Sequence, residues 1–126
     1  MTINFLWVAL GSAMGGMARY GVGLLINSYW KDSFPLATFI INVVGSFIIG
    51  VLASMLTNMQ PESTQSTMRL ILMVGVCGGF TTFSSFSLET LDLLRSGQTG
   101  IALTYIALSV ALCVGATAIG YTLFKN

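Results

Sequence analysis

Four long stretches without a charged side chain constrain this sequence more than any other feature. They are residues 1–18, Ser33–Pro61, Leu70–Leu88 and Ser96–Phe124. A helix needs about 20 mostly apolar residues to cross the hydrocarbon of a bilayer. The pattern therefore predicts four spans, at roughly 3–26, 36–58, 69–94 and 101–124. The connectors agree: Asn27–Pro35 carries Lys31, Asp32 and Pro35, Thr57–Thr67 carries Asn58, Pro61 and Glu62, and Arg95–Gly100 is a short polar turn with two glycines. All three are short. The expectation is one all-α, four-span membrane domain over residues 1–126.

Composition excludes the soluble alternatives. Only 7 % of residues are charged and 55 % are hydrophobic, where a soluble domain carries about a quarter charged residues. Histidine is absent, which removes imidazole acid–base chemistry and His metal ligation. A net charge of +1 is too small to neutralise several phosphates, so no nucleic-acid partner is expected. The first stretch lacks a basic n-region and is longer and more glycine-rich than a signal-peptide core, so it reads as a retained span. Cys77 and Cys113 fall inside spans, where thiols behave as small apolar groups; no disulfide is expected.

Orientation is almost unspecified. Four spans put both termini and the 57–67 loop on one side with Arg69 and Lys125. The other side holds Lys31 and Arg95, joined by Arg19 if that side chain snorkels outward. The positive-inside rule has nearly nothing to act on. Either a partner or a weak bias sets the topology, or the chain inserts both ways and pairs as an antiparallel, dual-topology homodimer. Such a dimer has its two-fold axis in the membrane plane.

Polar side chains in lipid must face a neighbouring helix or a wet path. Thr38, Asn42 and Ser46 recur every fourth residue on span two, and Tyr105, Ser109 and Cys113 do so on span four, with Thr117 one turn further. Span three runs Thr81-Thr82-Phe83-Ser84-Ser85-Phe86-Ser87. A single hydroxyl is explained by back-bonding to the preceding turn or by helix–helix glue; the aligned stripes and a buried amide at Asn42 point to a polar pathway. Gly75-Val76-Cys77-Gly78-Gly79 followed by two threonines is a poor helix interior. It predicts a break near Gly78–Thr81, whose carbonyls could hold a cation; glycines placed for close packing in a continuous helix are the alternative. Gly11-x-x-x-Gly15 and Ala116-x-x-x-Gly120 read as close-packing motifs.

Of the four acidic residues, only Glu89 stands to reach into a span, and spans one, two and four contain none. Hydroxyls, the Asn42 amide, Arg19 and the positive edges of aromatic rings dominate instead. That inventory suits a small anion exchanging water for hydrogen bonds.

Three segments carry a resemblance: Gly11–Tyr20 (GSAMGGMARY), Pro35–Phe47 (PLATFIINVVGSF) and, most specific, Gly78–Glu89 (GGFTTFSSFSLE). With the four-span layout they make the chain similar to the Fluc (CrcB-type) family of fluoride channels. The resemblance implies an antiparallel homodimer in the bacterial plasma (inner) membrane, with two parallel fluoride pores and no enzymatic activity. It implies that Phe83 and Phe86 present ring edges to fluoride, that Asn42, Thr38 and Thr82 donate to it, and that Tyr105 and Ser109 form a polar track. Gly78 and Thr81 would offer carbonyls to a structural sodium ion at the dimer centre. Arg19 would make a vestibule electropositive, and Glu89 would sit near a pore end. Ser12 and Ala37 depart from the glycines common there, and Cys113 from a common serine. Without the flanking motif, Phe83 and Phe86 would read as packing. A passive channel exporting cytoplasmic fluoride is the expected function; a proton-coupled fluoride or small-anion transporter using Glu89, or a non-transporting membrane scaffold, are the alternatives.

Overall fold

A computed structural model describes residues 1–125 as helices joined by short turns. Helix α1 spans Thr2–Tyr29 and α2 spans Leu36–Leu56. The next long segment is composite. It runs from α3 (Glu62–Met68) through a π-helical stretch (Arg69–Cys77) to the short α4 (Gly78–Phe80), and then, after Thr81-Thr82, to α5 (Phe83–Arg95). Helix α6 spans Thr99–Leu123. Three segments, Leu36–Leu56, Glu62–Arg95 and Thr99–Leu123, are long and apolar enough to cross a membrane. Helix α1 has 28 residues, but Gly11, Gly15, Gly16, Arg19, Gly21 and Gly23 make it less apolar.

The interior is thin. Ala37, Ile41, Leu56, Cys77, Leu93, Ala102 and Tyr105 are buried, while Phe5, Leu6, Met17, Leu24, Leu103, Val114 and many other large apolar side chains lie on the surface. A soluble protein does not leave such patches bare, whereas acyl chains solvate them without cost. This is the surface of an integral membrane protein.

Because lipid is as apolar as leucine, helices here associate by close backbone approach. Helix α1 packs chiefly on the π-helical stretch and α4, and α2 on α6. A methyl group on Gly11 would strike the Ile71 carbonyl, and one on Gly15 would strike the Val76 carbonyl. On the other pair, Gly50 lies against the Thr117 carbonyl and Gly120 against that of Phe47. The Thr117 hydroxyl donates to Ser46 O of α2 at 3.0 Å, besides its own Cys113 carbonyl. Both small-residue motifs are thus crossing points.

Several boundaries differ from the sequence expectation. The third segment begins at Glu62, inside the expected connector, because Pro61 suits a helix entry and Glu62 complements the N-terminal dipole. Gln65 ties this start to the end of α2, donating to the Leu56 and Thr57 carbonyls. Helix α1 continues through Asn27 and Ser28 to Tyr29, so the first connector is shortened to Trp30–Pro35. The α5–α6 turn is a Schellman closure. Gly97 has φ +82°, its N–H donates to Leu94 O, and Gln98 N–H donates to Leu93 O at 2.8 Å.

The helix interruption falls at Thr81-Thr82, while Gly78 and Gly79 stay helical. The preceding π-helical stretch is marked by the Gly78 N–H reaching back to Met73 O, a one-residue widening that accumulates at functional sites. Glycine needs no break here, because it serves the crossing with α1: a Cβ on Gly79 would meet the Ser12 carbonyl at 2.6 Å.

The crossings supply a stability test. Gly15→Ala forces the α1 crossing apart and lowers unfolding stability in detergent by roughly 1–3 kcal/mol. Gly21→Ala, whose added methyl meets nothing within 4 Å, stays within about 0.5 kcal/mol of the parent.

Candidate functional site

Thr81-Thr82 is the centre of the site. Breaking a helix strips backbone groups of their partners, and in hydrocarbon each orphan is costly. Asn42, projecting from α2, supplies two of the missing bonds. Its Nδ2 donates to Thr82 O at 3.0 Å and its Oδ1 accepts from Thr82 N–H at 2.8 Å. The Thr82 hydroxyl then caps α5, accepting from Ser85 N–H at 3.1 Å. The Thr81 hydroxyl bonds back to Cys77 O at 2.8 Å.

These bonds have a second effect. In a continuous helix, Thr82 N–H donates to Gly78 O and Ser85 N–H donates to Thr81 O. Here both donors are diverted, to Asn42 and to the Thr82 hydroxyl. The carbonyls of Gly78 and Thr81 therefore lose their helical partners, and both residues line the same groove. That donor set, two neutral backbone oxygens at a helix break, fits a hard monovalent cation.

The groove, about 460 Å³, lies between α2, the composite segment and α6. Asn42, Thr82, Phe83, Phe86 and Ser109 all border it, and no charged side chain does. Phe83 is 78 % exposed, on the outer face of the chain. Phe86 is half-buried, with its ring 5.4 Å from Phe83 and 5.0 Å from Tyr105. The Ser109 hydroxyl is buried and has no hydrogen-bond partner among the described residues.

A second cavity, of about 400 Å³, opens on the other side of the break. Arg19, Thr38, Thr82, Ser85 and Glu89 line it. Glu89 joins three helices: Oε2 accepts from the Thr38 hydroxyl of α2 and Oε1 from the Tyr105 hydroxyl of α6, each at 2.9 Å. Tyr105 is fully buried against Phe86 and Phe34, the latter edge-on at 5.4 Å. Arg19 Nε donates to Gly79 O at 3.1 Å, placing a cation at the C-terminal end of the half-helix, where the dipole favours it.

Ten of the eleven site residues expected from sequence therefore line one or both of these cavities, and the eleventh, Tyr105, is buried behind them against Phe86 and Glu89. Thr38 and Tyr105 are committed to Glu89, and one amide hydrogen of Asn42 to Thr82, which leaves Asn42 one N–H for other use. Glu89 is clamped between helices, half-buried. Sequence reasoning missed the Arg19–Gly79 bond, the Phe34 contact and the π-helical stretch. The Asn42–Thr82 pair did leave a trace, since a predicted break needs a partner and Asn42 is the one amide side chain on α2.

Asn42→Ala leaves two part-buried backbone groups of Thr82 unmet, at up to about 1–3 kcal/mol each. It destabilises the chain by up to about 2–6 kcal/mol and accelerates hydrogen exchange at the Thr82 amide. In the Glu89 clamp, Thr38→Val and Tyr105→Phe combine non-additively, with a coupling of about 0.5–3 kcal/mol in a double-mutant unfolding cycle.

Residues 6–121 match the family described as CrcB-like protein, camphor resistance (CrcB). A protein of Ruminiclostridium cellulolyticum named fluoride-specific ion channel FluC is 40 % identical over 124 residues, 98 % of this chain and 94 % of its own. Proteins with the same name from Methylocella silvestris and Caulobacter vibrioides are 44 % and 47 % identical, covering 94 % and 90 % of this chain and 91 % and 88 % of theirs. With a family match spanning nearly its whole length, this chain belongs to the CrcB-like protein family.

Proposed function

We propose that this protein is a fluoride channel, not an enzyme, through which cytoplasmic fluoride leaves down its electrochemical gradient. The observation that carries this reading is the 40–47 % identity, over most of the chain, to proteins named fluoride-specific ion channel FluC. The groove chemistry supports it. An anion that sheds water needs donors, and a pore that binds without trapping needs weak ones. Asn42, Thr82, Ser109 and the ring edges of Phe83 and Phe86 are all neutral, so no charged side chain holds the ion. The unpartnered Ser109 hydroxyl is a donor with nothing else to do.

Function on this reading requires a second copy. Phe83 and the groove stand open on the single chain, and near-balanced charge gives an antiparallel pair as easily as a parallel one. Helix α1 is the fourth span, with Gly11 and Gly15 spent on packing. In the dimer, two grooves form two pores in a bacterial inner membrane. Gly78 and Thr81 of each subunit hold a central sodium ion, which supplies fixed positive charge to neutralise the carbonyl dipoles meeting there. Arg19 brings anions into the second cavity, and Glu89 holds Thr38 and Tyr105 in place beside the path.

Purified protein in vesicles tests this directly. Wild type empties a fluoride gradient as soon as a potassium ionophore allows charge to balance, and chloride efflux stays at the protein-free rate. Phe86→Ile and Ser109→Ala slow fluoride efflux by about tenfold or more, the cost of losing roughly 1.4 kcal/mol of ion stabilisation each. Efflux that needs an opposing proton gradient would mark a coupled transporter, and no efflux would mark a scaffold.

A further inference from the structure

Phe34, on the connector between α1 and α2, does not line the groove, yet its ring meets Tyr105, and Tyr105 meets Phe86, which does. Its backbone is closely held. Pro35 has φ −75° and ψ 72°, the geometry of an inverse γ-turn, and Leu36 N–H closes it by donating to Phe34 O at 2.7 Å. The Trp30 indole donates to the same carbonyl at 2.8 Å. Two donors on one oxygen, next to a residue whose own ring fixes φ, leave Phe34 little freedom to move. The half-buried Phe34 ring stands edge-on to two others, Phe39 of α2 at 5.4 Å and 74° and Tyr105 of α6 at 5.4 Å and 77°. Tyr105 in turn lies 5.0 Å from Phe86, tilted by 52°.

Tyr105 needs a hold of this kind. Its hydroxyl donates to Glu89 at 2.9 Å, but the hydroxyl oxygen lies on the axis about which the ring turns. That bond pins the tip of the side chain and leaves the plane of the ring free. The ring torsion of tyrosine is a broad, two-fold well, and only neighbours packed on its faces and edges narrow it. An edge-on partner does so because the positive edge of one ring favours the negative face of the next. We propose that Phe34 is a positioning residue for the groove: it sets the plane of the Tyr105 ring, and thereby the angle at which Phe86 turns its edge to a passing ion. This rests on the channel reading, because the angle of Phe86 bears on transport only there.

Fluoride efflux from vesicles is measured for wild type, Phe34→Leu, Phe86→Ile and the double variant. Phe34→Leu slows efflux by about fivefold, the worth of one aromatic contact read as a rate. In the Phe86→Ile background, where no ring is left to orient, the same change slows it by less than about twofold. A general loss of folded protein would slow both backgrounds by the same factor, and that result overturns the proposal. A second measurement needs no transport. With 4-fluorophenylalanine in place of Phe86, the full chain in detergent carries a single fluorine label. Phe34→Leu shifts or broadens its resonance, while Phe5→Leu, at a side chain 75 % exposed on the outer surface, leaves it unchanged. Trp30→Phe keeps the Phe34 ring, removes the indole donor and moves the resonance too, which decides the matter where Phe34→Leu does not assemble. A fluorine signal indifferent to both changes overturns the proposal whether or not the protein conducts. A responsive signal in a protein that passes no fluoride upholds the ring coupling and sinks the channel reading alone.

Discussion

The fold depends on how a broken helix is made tolerable in an apolar medium. Two threonines leave the helical path between Phe80 and Phe83, and backbone groups left unmet among apolar neighbours are costly. Asn42 replaces the lost bonds with a matched donor and acceptor across 40 residues of sequence. The Thr82 hydroxyl restarts the helix as its N-cap. Without that pair the two half-helices have no reason to stay offset, and the surrounding polar groups lose their register. The amide is therefore structural first, and only its second N–H is left uncommitted.

Glycine fixes the positions of the walls. With Gly11 and Gly15 against the Ile71 and Val76 carbonyls, α1 holds the π-helical stretch at backbone contact. This brings Arg19 to the Gly79 carbonyl at the end of the half-helix. Gly50 and Gly120 hold α2 to α6 in the same way. The Glu89 clamp then links α2 and α6 to α5 through two hydroxyls. Close crossings and a three-helix carboxylate clamp make a rigid frame around two cavities, and rigidity matters where donors must meet an ion in place of its water.

Membrane character, the four apolar stretches and the polar stripes were legible from sequence because they depend on single-residue properties: transfer free energy, charge and helical period. Asn42 stood out for the same reason, as did the hydroxyl run of span three. The break was legible only approximately. Glycine and threonine propensity indicated that the helix was weak near residue 80, and the choice of Thr81-Thr82 over Gly78–Gly79 depended on which residues α1 required for close approach.

The sequence by itself thus determined what this chain dissolves in, how many long segments it has, and which side chains have no place against lipid. The tertiary structure decided which polar atoms spend their hydrogen bonds on the fold and which are left over. Thr38 and Tyr105 are spent on Glu89, and most of Asn42 on Thr82, while the Ser109 hydroxyl has no partner among the described residues. A hydrogen bond is a relation between two groups distant in the chain, fixed to within tenths of an ångström by helix crossings that no local propensity encodes.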